Sequence, residues 1–383
     1  MVDDALLAFL VALVASAALT PLVARLARRI GAVDTGKPRG LGDASTPLLG
    51  GLAIFAGAAL AGAIFLPLSD VTRAIFYAAA LITVVGAIDD WRELAPGVKL
   101  AGQVLAALIL VLAGVSVETA TLPFLGRLEF GDLGGPLTLV GLVAVMNIVN
   151  LSDGVDGLAA GVCAISAAAF AVIAFDLDKD TAGVLAALTA GASIGFLVHN
   201  FHPASVYMGD CGSNLLGLLL GATIVEGTLK TNALIALAVP LVVLAVPFLD
   251  TTFVVLKRLK YRRPVYRGDM NHFHHRFARM GFSQRRTVAY LYGWTLTMAA
   301  LAVALRFVPY SDRGGELNPG WSLVMAVLFL IAGAASVYLV YVLEILKLKR
   351  FITRSAEPGT EEHEIDRRVE EDLETGEFSA VRG

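Results

Sequence analysis

The chain has 383 residues, of which 57% are hydrophobic and only 16% charged, with a formal net charge of −3 and a mean hydropathy of +0.73. A water-soluble domain carries about a quarter charged residues, so this composition excludes a globule covered by polar surface.

Apolar runs long enough to cross about 30 Å of hydrocarbon fall near residues 4–25, 48–68, 71–88, 98–117, 136–151, 158–175, 181–199, 213–227, 233–256, 287–308 and 322–345. They predict an all-α, polytopic integral membrane protein of about eleven transmembrane helices. The first run is too long for a signal-peptide core and follows Asp3 and Asp4 rather than basic residues, so it is expected to stay in the membrane. With the N-terminus outside, the inside segments between spans hold seventeen Lys and Arg and the outside segments six. The positive-inside rule therefore predicts N-out, C-in. Residues 1–350 form the predicted transmembrane domain, and 351–383 an acidic cytoplasmic tail. Residues 355–383 carry ten acidic and three basic side chains, a composition expected to stay disordered as a solvated spacer. Cys163 and Cys211 have no close Cys partner in sequence, so neither a disulfide nor a thiolate metal site is expected.

Ionisable groups in a bilayer are costly and call for a reason. Here they gather where odd-numbered spans reach the inside. The third span ends in Asp89-Asp90-Trp91-Arg92, followed by Pro96, Lys99 and Gln103. Adjacent carboxylates are stable ionised only near a cation, although a solvated helix end with Asp90 paired to Arg92 is the plainer reading. Next come Asn147, Asn150, Asp153 and Asp156, spaced by three, which makes one slanted polar stripe on a helix. A loop reading explains Gly154 and Gly157 but not amides inside an apolar span.

The third group is His199-Asn200-Phe201-His202-Pro203 with Met208-Gly209-Asp210-Cys211-Gly212-Ser213-Asn214. Ser213 is a candidate N-cap, with Asp210 just before the helix. A carboxylate beside a helix N-terminus, where phosphate binds, suits Mg²⁺; a glycine-rich turn with a second cap fits the same residues. Asp250 closes the ninth span within reach of Lys257 or Arg258. The long loop after it holds Arg262, Arg263, Arg267, His272, His274, His275 and Arg276. A patch for anionic headgroups or phosphate-binding histidines would fit; zinc is disfavoured, because no helical His pair at i, i+4 and no Cys is near.

In this order, the clusters resemble the polyprenyl-phosphate N-acetylhexosamine-1-phosphate transferases. The pattern GxxDDxxxLxPxxKLxxQ matches Gly86–Gln103, NxxNxxDGxDGLAAG matches Asn147–Gly161, NFxPAxxxMGDxGSxxLG matches Asn200–Gly217 and NHxHHRF matches Asn271–Phe277. Arg92-Glu93-Leu94 after the Asp pair and the His-Phe-His-His run resemble the GlcNAc-1-phosphate branch rather than the phospho-MurNAc-pentapeptide branch, which stands as the alternative. The first inside loop departs from the family, with Lys37-Pro38-Arg39 in place of an Arg-Lys-x-His run.

The resemblance implies transfer of GlcNAc-1-phosphate from UDP-GlcNAc to a polyprenyl phosphate, with release of UMP, at the cytoplasmic face of a bacterial plasma membrane. It also makes a homodimer reasonable, and no nucleic-acid partner is expected. The candidate catalytic residues are Asp89, Asp90 and Asp210, with Asp89 the optional acceptor of a proton. Asp210, aided by Asp153 or Asp156, is the candidate metal site, for Mg²⁺ or Mn²⁺. Asn147, Asn150, Asp153, Asp156, Asn200, Lys99, His272, His274, His275 and Arg276 are the candidate substrate contacts. A secondary transporter would have as many spans, but its ionisable groups belong near the midplane, often within inverted repeats, and no repeat is evident.

Overall fold

The computed structural model describes residues 2–34, 45–117, 119–122, 126–229, 283–308, 318–334 and 336–337. The predicted span near 233–256 and the tail 351–383 lie outside them. In chain order the α-helices are α1 (Val2–Ile30), α2 (Gly50–Phe65), α3 (Asp70–Arg92), α4 (Pro96–Leu112), α5 (Gly134–Ser152), α6 (Leu158–Asp176), α7 (Asp180–Asn200), α8 (Gly209–Ile224), α9 (Gln284–Phe307) and α10 (Pro319–Ala334). Among the described residues, six helices are long and apolar enough to cross a membrane: α1, α3, α5 with the 3₁₀ turn before it, α6, α7 and α9. Three more, α2, α4 and α10, are apolar but shorter. The chain is thus a polytopic membrane protein.

The described elements bear out the all-α reading. Two short antiparallel pairs join the helices, Val33–Asp34 with Thr46–Pro47 and Thr119–Leu122 with Gly126–Glu129. They satisfy backbone groups that leave helical hydrogen bonding at these connections.

The chain divides into two compact units. One holds α1–α8 and α9 from Val288 onward; α10 belongs to the other. Within the first unit α6 and α7 are central, each 78% buried along its span, whereas α1 is peripheral at 22%. Small residues set how closely the helices approach. The buried stripe of α1 is Ala5, Ala8, Ala12, Ser16, Thr20, Ala24 and Ala27. Facing it, Gly191 and Gly195 of α7 lie so close that a Cβ would sit 2.1 Å from the Phe9 carbonyl oxygen or 2.2 Å from that of Leu13. The other face of α1 exposes Leu6, Leu7, Leu10, Val14, Leu22 and Leu26, which suits hydrocarbon.

Pro21 sits inside α1 and has no N–H to give the Ala17 carbonyl. His199 of α7 supplies the missing donor, its Nε2 lying 3.0 Å from that oxygen. A carbonyl only accepts, so Nε2 carries the proton. Buried hydroxyls are met locally, as where Thr20, Thr83, Thr189, Ser193 and Thr223 each donate to the carbonyl four residues back.

Helices α3, α5 and α7 end, and α4, α6 and α8 begin, at one end of this unit. Here Gly50 N–H donates to the Tyr207 carbonyl and Gly51 N–H to that of Met208, both at 3.0 Å.

Candidate active site

Helix α8 is the centre of the site. Ser213 is the N-cap that local rules favour, but α8 begins four residues earlier, at Gly209, and Ser213 lies inside it. Gly209 has φ +70°, a turn open to glycine, so the helix starts there and Asp210 falls in its first turn. No side chain of the flanking segment caps this helix. The cap comes from α3 instead. Asp90 Oδ1 accepts the Asp210 N–H at 2.7 Å and its Oδ2 accepts the Cys211 N–H at 3.1 Å. These are orphan donors at the positive end of a helix, where a carboxylate is favoured.

Glycines make this approach possible. A Cβ on Gly86 of α3 would lie 2.4 Å from Cys211 Cα, one on Gly51 of α2 2.2 Å from Gly212 N, and one on Gly209 2.3 Å from Asp90 Oδ2. The start of α8 is therefore held between α2 and α3 by backbone contact.

The end of α3 presents the other carboxylate. Asp89 Oδ1 accepts the Leu94 N–H at 2.7 Å, folding the chain over so that α4 can start at Pro96. Lys99, one turn into α4, then bridges two carboxylates: its Nζ is 2.5 Å from Asp89 Oδ2 and 2.8 Å from Asp210 Oδ2. The second oxygen of Asp210 accepts from Asn150 Nδ2 at 2.9 Å, which also lies 2.9 Å from Ser213 Oγ. Oxygens of Asp89, Asp90 and Asp210 lie within 4.8 Å of one another, a geometry able to hold a cation.

Behind this cluster runs a chain of amides, Gln103 and Asn214 buried and Asn147 half-buried. Asn147 Nδ2 donates to Gln103 Oε1 at 2.8 Å, Gln103 Nε2 to Asn214 Oδ1 at 2.7 Å, and Asn214 Nδ2 to the Asp210 carbonyl at 2.9 Å. The polar stripe of α5 thus divides its work: Asn147 faces α4, and Asn150 faces α8. Gln103 and Asn214 are not among the substrate or metal candidates read from the sequence, yet it carries a signal for both. Each is an amide in an apolar helix, four residues after Lys99 or Asp210, on the same helical face.

Asp153 follows α5, in the turn before α6. Burial pushes its carboxyl up to about 8, and repulsion from Asp210, Asp90 and Asp156 adds to the rise. Asp156 meets other partners: its Oδ2 is 2.7 Å from His202 Nδ1 and accepts the Ala204 N–H at 3.1 Å. Asn200 is 2% exposed, accepts from Gly157 N–H at 3.0 Å and donates to the Val206 carbonyl at 2.9 Å. These bonds join the α7–α8 connection to the α5–α6 turn; His202, also outside the predicted site residues, is one of the staples. His272, His274, His275 and Arg276, Asp250, and the loop around Lys37 and Arg39 lie outside the described residues.

Residues 72–228, which include every residue of this cluster, match glycosyl transferase family 4. The probable undecaprenyl-phosphate N-acetylglucosaminyl 1-phosphate transferase of Bacillus subtilis is 37% identical over 301 residues, 77% of this chain and 84% of its own. The decaprenyl-phosphate N-acetylglucosaminephosphotransferase of Mycobacterium tuberculosis is 35% identical over 82% of this chain and 83% of its own. A phospho-N-acetylmuramoyl-pentapeptide-transferase, from Desulforudis audaxviator, is 34% identical over 78% and 95%. Identity at this level, over most of each chain, shows descent rather than a shared fold alone. The chain belongs to glycosyl transferase family 4.

Proposed function

We propose that this protein transfers GlcNAc-1-phosphate from UDP-GlcNAc to a polyprenyl phosphate, releasing UMP, as a first membrane step of a cell-envelope polysaccharide. The observation that carries the reading is the cluster of Asp89, Asp90 and Asp210 bridged by Lys99, in a polytopic membrane protein whose relatives bear that name. The excess of Lys and Arg in the inside segments supports an N-out, C-in chain with this cluster at the cytoplasmic face.

The reaction joins two anions. The acceptor phosphate, with a second pKa near 6, is largely dianionic at neutral pH, so an oxygen can attack the β-phosphorus without a strong base. The barrier is charge repulsion, and positioned cations relieve it. Lys99 is one such cation. The donor set fits a second, because it is all oxygen and clustered closely enough for a small hard ion such as Mg²⁺ or Mn²⁺. Asp210, with Asp153 or Asp156 and with Asp89 and Asp90 alongside, would hold it. The ion would neutralise pyrophosphate charge during transfer. Asp90, through the two amides it caps, sets where the Asp210 carboxylate stands. Asp89 is the candidate to take a remaining acceptor proton. Asn150 and Asp156 serve the nucleotide, and Asn147 and Asn200 act by holding α8 and the turn before α6. The histidine loop would contact phosphate or sugar, with the lipid tail between helices.

The test is a transfer assay on purified protein with polyprenyl phosphate, Mg²⁺ and labelled UDP-GlcNAc, run beside UDP-MurNAc-pentapeptide. Labelled lipid and UMP from UDP-GlcNAc alone is the expected result. Product only from the pentapeptide donor would move the chain to the other branch.

The Asp153 carboxyl leads to a second expectation. With its pKa near 8, it is protonated at neutral pH when no cation is bound. Where Asp153 rather than Asp156 helps Asp210 hold the ion, binding would displace that proton, and apparent Mg²⁺ affinity should climb from pH 6 to 8, by at most about tenfold per unit, then level off. Calorimetry in buffers of different ionisation enthalpy checks the proton release; an affinity flat with pH would contradict it.

A further inference from the structure

The turn that carries Asp153 and Asp156 is held from two sides by the α7–α8 connection, through Asn200 and His202. A third hold comes from α9, and no motif in the sequence points to it. Tyr292 Oη donates to the Gly157 carbonyl. Its ring fills the groove over Gly161, where an added Cβ would lie 2.0 Å from the hydroxyl oxygen and 2.1 Å from Cζ. At the far end of the same two helices, Arg306 of α9 pairs with Asp176 of α6, so α9 runs beside α6 in the same direction.

The hydroxyl does something the ring does not. A phenyl ring would keep the ring carbons over Gly161, at 2.1 and 2.5 Å from its added Cβ; only the O–H reaches Gly157. Gly157 has φ +78° and forms the boundary of α6. Its N–H is given to Asn200, and its carbonyl accepts both the Gly161 N–H of the first turn of α6 and the Tyr292 hydroxyl, so α7, α6 and α9 all meet at this one residue. Asp156 is the next residue back, and Asp153 lies three before that. A tyrosine has two side-chain torsions, and here its ring is wedged against a glycine, so the bond costs little conformational freedom.

We infer that Tyr292 is a positioning residue for the donor site, holding the turn 153–157 through Gly157 so that Asp153 and Asp156 keep their places. The inference rests on the function proposed above.

The test uses the full-length protein in detergent, with Tyr292→Phe read by hydrogen–deuterium exchange and by steady-state kinetics. Loss of one neutral hydrogen bond should speed exchange across residues 153–161 and raise KM for UDP-GlcNAc, each by about three- to tenfold. The thermal midpoint should hold, because the ring keeps its packing over Gly161. Gly161→Ala, which forces the ring outward, should raise KM similarly and add little to Tyr292→Phe. Exchange and KM both equal to the parent would overturn the inference. So would a lowered midpoint with unchanged KM, which would make Tyr292 a tie for the fold alone. If the parent itself turns over no UDP-GlcNAc, the donor assignment falls, and the exchange data still decide whether Tyr292 holds the turn.

Discussion

Asp210→Asn is expected to lower turnover by about 10²–10³ while leaving the protein folded. Asparagine keeps the shape of the side chain and one oxygen, so the contact with Asn150 or with Lys99 can survive, but not both charge-assisted bonds. The charge is what matters. Asp210 stands in the first turn of α8, with Lys99 at 2.8 Å on one oxygen and Asn150 at 2.9 Å on the other. A neutral amide there would hold Mg²⁺ poorly and leave Lys99 to Asp89 alone. The check is turnover against Mg²⁺ concentration: the variant should need more Mg²⁺ and still fall short at saturation. Full activity at low Mg²⁺ would remove Asp210 from the metal assignment.

Gly86→Ala is expected to be as damaging, for a reason outside the chemistry. The new methyl would meet Cys211 Cα at 2.4 Å, Cys211 N at 2.5 Å and the Asp210 carbonyl carbon at 2.7 Å. Overpacking typically costs about 1–3 kcal/mol when side chains can yield. Here the obstacle is backbone, and it is the turn that Asp90 caps, so the cost should reach or pass the top of that range. Relief by sliding α8 about 1 Å would move Asp210 relative to Lys99 and Asp89, and misplacement of that size can cost about 10²-fold in rate. Thermal stability and turnover should therefore fall together. Gly141→Ala is the control: nothing lies within 4 Å of its added Cβ, so stability and turnover should stay near the parent's. Equal behaviour of the two variants would show that α3 and α8 have room to part without cost.

Much of the architecture is legible in the order of the residues. The apolar run near 71–88 corresponds to α3 at Asp70–Arg92, and that near 181–199 to α7 at Asp180–Asn200. Such spans are readable because a bilayer imposes one requirement, a run of about 20 apolar residues, and the chain meets it locally. Asn147 and Asn150 are legible for a similar reason, as amides at helical spacing in an apolar run. The start of α8 is not. Ser213 is a sound cap by local rules, but the cap used is Asp90, 120 residues earlier in the chain, and no local rule reports a partner at that distance.

Hydrophobic length, periodicity and residue type are properties of the chain alone. They suffice for the membrane class, the approximate spans and the collection of acidic and amide residues at the span ends. The partners depend on tertiary packing: Asp90 on the amides of α8, Lys99 between Asp89 and Asp210, His199 on the carbonyl that Pro21 leaves unpaired, and the narrow gaps that demand Gly51 and Gly86. The physical reason is common to them. A buried charge or orphan backbone group must find a counterpart, and which one it finds depends on the helices that packing brings within about 3 Å.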